Sequence, residues 1–273
     1  SPIERITMNT KPQILFLSHG GGPMPLLGDV GHKEMFACLQ KIASILRKPS
    51  AILVVSAHWE EKIPTITSGA NPSLIYDYYG FPEESYSITY PCQGEPSLAE
   101  QIYKRLERAG ISAKLDEQRG LDHGLYIPLK IMYPEADIPC IQLSLVDNLS
   151  PAAHVGIGRA IQDLEYENLL IIGSGFSFHN MKAFFSSETS ESKTLNESFE
   201  AWLLETCTNS SITEEEREQR FIQWEKAPGA RYCHPREEHL LPLHVCYGIA
   251  NSVCTKSFEL KILNKKSSMY IWS

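Results

Sequence analysis

Three histidines follow apolar runs closely enough to share one site. His19 comes after Ile14-Leu15-Phe16-Leu17, in Ser18-His19-Gly20-Gly21-Gly22-Pro23. His58 comes after Ala51-Ile52-Leu53-Val54-Val55, in Ser56-Ala57-His58-Trp59. His179 lies a few residues beyond Leu169-Leu170-Ile171-Ile172, in Gly173-Ser174-Gly175-Phe176-Ser177-Phe178-His179-Asn180. Neutral imidazole is the commonest nitrogen donor for zinc, iron and copper, and a partner can fix its second ring nitrogen. One such histidine is most often structural. Three at equivalent positions point to a metal site. The glycines after His19 let backbone approach a ligand closely, or simply make a tight turn.

Two further histidines have suggestive neighbours. His123 sits in Gly120-Leu121-Asp122-His123-Gly124, a turn-like segment that suits either an oriented acid or base or a surface turn. His239 lies near a helix start in Arg236-Glu237-Glu238-His239-Leu240-Leu241-Pro242-Leu243. Adjacent helical positions diverge by about 100°, so Glu238 and His239 do not easily face one metal. His32, His154, His234 and His244 have no comparable context and are assigned to surface or core.

The elements that must position these residues follow from periodicity. Each apolar run reads as a buried strand, and 51–55 as a central parallel one. Met35, Phe36, Leu39, Ile42, Ala43 and Leu46 recur at helical spacing until Pro49. Leu98, Ile102, Leu106 and Ala109 mark a second amphipathic helix, with Pro96 near its start and Gly110 past its end. Further on, 138–145 reads as strand and 151–166 as helix. Helices are expected over 213–224 and 237–250, with closing strands at 258–263 and 270–272. Ser186 to Ser192 reads as a surface loop. Strands alternating with helices predict a layered α/β sheet, and with no repeat or linker the expectation is one domain over 1–273. In such sheets ligands gather at the carboxyl ends of strands, where residues far apart in sequence meet.

Composition narrows the function. The chain has 273 residues, 42% hydrophobic and 21% charged, as a globular protein does. Its net charge of -8 argues against a nucleic-acid or membrane-surface partner, which want basic patches. Glu214-Glu215-Glu216 reads as a solvated first helical turn. Seven cysteines, odd in number and without a C-x-x-C pair, suit free thiols in a reducing compartment. The stretch Ser1 to Lys11 lacks a long apolar region and no run of eighteen apolar residues occurs, so a cytoplasmic protein is expected.

Taken in order, the histidine blocks resemble the class III extradiol ring-cleavage dioxygenases, especially their 4,5-DOPA dioxygenase-like branch. The resemblance spans about Leu15 to Gly248 and includes Tyr76-Asp77-Tyr78-Tyr79-Gly80-Phe81-Pro82 and Met132-Tyr133-Pro134-Glu135-Ala136-Asp137-Ile138-Pro139. It implies a three-layer α/β/α sandwich around a mixed, largely parallel sheet. It also implies one divalent metal, Fe(II) or Zn(II), at His19, His58 and His239, with His179 as acid/base or fourth ligand. His123 corresponds to a second active-site histidine that holds substrate or oxygen. The activity implied is cleavage of a catechol such as DOPA by O2 to a muconic semialdehyde, in a monomer or homodimer. Tyr126, Tyr79 and Phe178 are candidates to line the ring pocket.

Two departures stand out. Many members have Gly-His-Gly-Ser-Pro where this chain carries the longer Ser18-His19-Gly20-Gly21-Gly22-Pro23. Ring-cleaving relatives use two histidines and a carboxylate, whereas the third position here is His239. An all-imidazole set fits zinc as well, so a zinc-binding Memo-like interaction protein or a zinc hydrolase on the same fold is the alternative. A serine hydrolase is disfavoured, because His19-Gly20-Gly21-Gly22 has no G-x-S-x-G elbow to serve.

Overall fold

Apolar runs that read as buried strands become the parallel centre of one eight-stranded mixed sheet. The computed structural model describes residues 11–273, so the reading of the amino-terminal stretch lies, Lys11 apart, outside the described residues. The strands are β1 (Gln13–Ser18), β2 (Ala51–Glu61), β3 (Thr65–Thr67), β4 (Lys114–Asp116), β5 (Cys140–Val146), β6 (Leu169–Gly175), β7 (Lys256–Ile262) and β8 (Lys265–Trp272). Their order is β4-β3-β5-β2-β6-β1-β8-β7. Pairing is parallel from β5 through β2 and β6 to β1, and antiparallel where β3 meets β5 and where β8 meets β1 and β7. All residues of β1, β5 and β6 are buried, as expected of strands covered on both faces.

The longer helices are α1 (Lys33–Ile45), α2 (Pro96–Arg108), α3 (His123–Met132), α4 (Pro151–Ala160), α5 (Ser190–Thr208), α6 (Glu214–Ile222) and α7 (Leu241–Ala250). Successive residues of a strand face opposite sides, and β6 shows both layers at once. A Cβ on Gly173 would meet Pro242 and Cys246 of α7. The next residue, Ser174, donates its hydroxyl to the Gly124 carbonyl of α3 at 2.6 Å. Helices therefore cover both faces of the sheet, giving the expected α/β sandwich.

Several elements differ from expectation. The helix from Pro151 stops at Ala160, and α7 begins at Leu241 rather than Glu237. The polar stretch before Ser192 runs into α5, opened by a capping box between Thr189 and Ser192. The turn-like segment at His123 is the first turn of α3. Every residue of α3 but Lys130 is buried, so it shows no amphipathic stripe. Pro128 also interrupts it; proline cannot donate to the carbonyl four residues back, and the Ser174 hydroxyl satisfies that Gly124 carbonyl instead.

Candidate active site

His19, His58, His179 and His239 meet at the carboxyl rim of the parallel strands. His19 leaves β1 and its N–H donates to the Gly175 carbonyl at 2.8 Å, tying two strand ends together. Its Nδ1 lies 2.9 Å from the Gly20 carbonyl. A carbonyl only accepts, so Nδ1 carries the proton and Nε2 keeps its lone pair. His58 is within β2, where the register with β5 shifts between Val55 and Glu60. Such an irregularity re-aims a side chain. Its Nε2 stands 3.2 Å from Nε2 of His19.

His239 arrives from the loop before α7. Its carbonyl accepts from Phe176 N–H at 3.0 Å. A Cβ on Gly175 would sit 2.2 Å from that oxygen, so this close approach needs glycine. His179 lies beyond β6, held by its N–H to the Cys233 carbonyl at 2.8 Å. Its ring stacks on His239 with centroids 3.5 Å apart and planes 5° from parallel. The rings of His19, His58 and His239 form a nearly equal triangle, with centroid separations of 4.8, 5.0 and 5.2 Å.

His123 completes the cluster from the amino end of α3, its ring centroid 4.0 Å from that of His58. Asp77 accepts from both the His123 backbone N–H at 3.0 Å and Nδ1 at 2.8 Å. Nε2 is thereby left to accept. Burial opposes the Asp77 charge, yet the hydrogen bonds from His123 outweigh it and hold the carboxyl below its usual value. Asp122, fully buried, caps α3 by accepting from Gly124 N–H and also accepts from Ser56, Arg119 and Gln142. The same Ser56 oxygen accepts from His58 N–H at 3.1 Å, linking the two histidine-bearing segments.

This arrangement fits a divalent cation. Burial first, and neighbouring imidazoles second, push His19 and His239 well below their ordinary values. Burial likewise lowers His58 to about 3 and His179 to about 4. All four rings are therefore neutral at pH 7 and able to donate lone pairs. Both ring nitrogens of His239 are buried without a hydrogen-bond partner, a cost of about 1–3 kcal/mol for each group left so. Glu238 Oε1 is 3.5 Å from His239 Nδ1, within ion-pair range but without hydrogen-bond geometry. Because His239 is neutral, this is no ion pair. Nitrogens sharing one zinc at about 2.0–2.1 Å stand roughly 3 Å apart, as the His19 and His58 nitrogens do. Donor atoms of His19, His58 and His123 form one group within 4.8 Å, and those of His179, Glu238 and His239 another. Spacing along a helix argued against Glu238 beside His239. The two precede α7, however, so helical divergence does not apply.

A cavity of about 490 Å³ opens over the histidines. Its inner wall includes Met24, Tyr78, Phe81, Phe176 and Leu263, and Met181, Phe184 and Phe185 continue it toward the mouth. Three aromatic candidates take other places. Tyr79 is 91% exposed, because Tyr78, its neighbour, turns inward. Tyr126 is buried behind Tyr78, with their hydroxyls 3.3 Å apart. Phe178 is buried against Phe184 and Tyr232, outside the lining. A groove of similar size at Ile14, Gln162, Asn251 and Trp272 holds no histidine. Asp77 had no assigned role in the sequence; its only signal there was its place in the Tyr76–Pro82 block. His32, placed as surface or core, is buried and accepts from Gly21 N–H at 2.9 Å, with Asp29 on its other nitrogen at 2.6 Å.

Comparison with known proteins finds relatives over most of the chain. The pattern of the family described as the catalytic LigB subunit of aromatic ring-opening dioxygenase matches residues 13–269. A dioxygenase, tasH, of Hapsidospora irregularis is 40% identical over 252 residues, covering 87% of this chain and 78% of that protein. The 4,5-DOPA dioxygenase extradiol of Beta vulgaris is 37% identical, covering 87% of each chain. That of Escherichia coli K12 is 35% identical, covering 87% of this chain and 85% of its own. A crystal structure of an uncharacterised Escherichia coli K12 protein superposes with a TM-score of 0.76 at 28% identity, covering 96% of this chain and 100% of that one.

Proposed function

The chain belongs to the LigB family of aromatic ring-opening dioxygenases, an extradiol ring-cleavage enzyme, and we propose that its substrate ring is a catechol opened to a muconic semialdehyde. The family joins an aromatic substrate and O2 with the help of a metal. We assign His19, His58 and His239 to hold that metal, with His179 as a candidate fourth ligand. A bound Fe(II) would supply Lewis acidity and the redox chemistry that O2 requires; zinc has no redox chemistry, so iron is the proposed working metal. The observation that carries the reading is the convergence of these rings at the floor of an apolar cavity.

The remaining roles are those of the protein's own groups. His123, with its proton held on Nδ1 by Asp77, presents Nε2 to accept from a ring hydroxyl. His179, neutral at pH 7, takes a proton from the second hydroxyl and returns it later; such transfer typically contributes about 10²–10⁴-fold. The apolar wall excludes water and confines the ring. One catalytic domain is proposed over the whole chain. Its seven cysteines are free and no helix among the described residues is long and apolar enough to cross a membrane; the proposed compartment is the cytoplasm.

The test is anaerobic loading with Fe(II), followed by O2 and a panel of catechols that includes DOPA, the substrate in the relatives' names. A new visible absorbance from the ring-opened product is expected. One bound Fe(II) per chain with no turnover of any catechol would overturn the proposal. His179→Ala separates its two roles: retained metal with lost turnover supports the acid/base, and lost metal makes it a ligand.

A further inference from the structure

The cavity is larger than a bare ring diol requires. An apolar cavity of roughly 150 Å³ accepts benzene, and this one is about 490 Å³. The surplus space is lined by Met24, Phe81, Phe184 and Leu263, and Met181 and Phe185 carry the apolar surface out to the mouth. Met181 is 55% and Phe185 84% exposed, so the apolar lining continues to the solvent as a contiguous surface. Among the described residues, those that line the cavity are histidine, glycine, apolar side chains and Tyr78, whose hydroxyl donates to the Ser85 carbonyl, with no Lys, Arg, Asp or Glu.

The charges nearest the cavity do not line it: Glu238, with Oε1 3.5 Å from His239 Nδ1, opens on the adjoining groove. Asp77 is hydrogen-bonded to His123 and does not line the cavity. Arg236 lies in an adjoining groove that shares His179 and Met181 with the cavity, and its guanidinium nitrogens bind both oxygens of Glu60 at 2.6 and 2.7 Å. Lys182, in the same groove, is exposed to solvent. A carboxylate or ammonium drawn against the wall would lose its hydration without a partner, which is costly. A hydrocarbon substituent there gains from every apolar contact.

We propose that the substrate is a catechol bearing an uncharged, apolar substituent, and that the wall from Leu263 to Phe185 selects against catechol amino acids and acids. This rests on the ring-cleavage reading above and adds the class of substituent.

The experiment compares 4-butylcatechol, L-DOPA and 3,4-dihydroxyphenylacetate on the Fe(II)-loaded full chain. kcat/KM is measured in air and binding by anaerobic calorimetry. 4-Butylcatechol is expected to exceed both charged catechols by about 100-fold in kcat/KM and in affinity. Equal or better use of L-DOPA would overturn the inference and leave ring cleavage standing. Failure to bind or open any of the three would overturn the ring-cleavage reading and this inference with it. Phe185→Arg, at an exposed position where folding is not at stake, gives a second arm. It is expected to raise kcat/KM for the dihydroxyphenylacetate about tenfold and to lower that for 4-butylcatechol. An unmoved ratio would remove selection from the wall.

Discussion

The histidine floor and the apolar wall of the same cavity are built in opposite ways. The floor is drawn from β1, β2, the loop after β6 and the loop before α7, stitched by His19 N–H to Gly175, Phe176 N–H to His239 and His179 N–H to Cys233. His19 and His239 are buried and His58 and His179 half-buried, and the backbone ties place the rings, with the Gly20 carbonyl orienting His19 directly. The outer wall rests on a single helical turn, Met181–Phe184, and on the exposed Phe185 beside it. Asn180 caps that turn by accepting from Ala183 N–H. The floor is thus determined by long-range contacts at the strand ends, and the outer wall by a short turn with one long-range tie, Asn180 Nδ2 donating to the Tyr232 carbonyl at 2.8 Å. Such a division lets the substituent that is accepted change without disturbing the chemistry.

The largest effect should come from removing a floor ring. His239→Leu keeps roughly the side-chain volume and deletes two buried nitrogens that lack partners. Metal per chain, read by elemental analysis, should fall close to zero and ring cleavage by more than about 100-fold. The metal-free protein should melt no lower than metal-free wild type, because an unsatisfied buried group has been replaced by an apolar one. A variant that kept full metal would remove His239 from the donor set.

Asp77→Asn tests the side of the floor reached through α3. The amide can still accept from His123 Nδ1 but no longer supplies charge or fixes one tautomer. kcat should fall roughly 10–100-fold with metal content unchanged. A fall in KM alone, with kcat intact, would mean that Asp77 does not act through His123.

Stability should also depend on pH through buried histidines outside the floor. His234 and His244 are buried, with values lowered by burial to about 3 and about 4, against about 6.5 in an unfolded chain. The unfolded state then binds the extra protons. Their contribution is whole above pH 6.5 and is lost as pH falls toward 3 to 4, at about 1.4 kcal/mol per pH unit for each. Urea midpoints of metal-free protein between pH 7 and pH 5 should show at least this slope, since the floor histidines, lowered in the same direction, add to it. A flat profile would mean that none of these rings, His234 and His244 included, is held neutral by the fold.

What could be read in the sequence follows the same division. His19, His58 and His179 were visible because uninterrupted apolar runs mark parallel strands, and strand ends share a rim. α3 was hidden by its own burial: with every residue but Lys130 inside and Pro128 in the middle, it carries no helical stripe. The wall was hidden for another reason. Whether Tyr78 or Tyr79 faces the cavity depends on how a loop packs, and neighbouring aromatic residues are indistinguishable by type. Leu263 reaches the lining from a two-residue hairpin turn, Leu263-Asn264, with both residues at positive φ (51° and 64°). Neither residue announces that conformation as an Asn-Gly pair would.

The smallest effect belongs to the wall itself. Met181→Ala removes a side chain that is 55% exposed, so only part of the roughly 1.5–3 kcal/mol of a fully buried methionine is at stake. For an apolar catechol KM should rise about 2–5-fold, with kcat, metal content and melting temperature unchanged. If metal content or kcat fell instead, the turn at Met181 would be supporting His179 two residues before it, and floor and wall would be one structure rather than two.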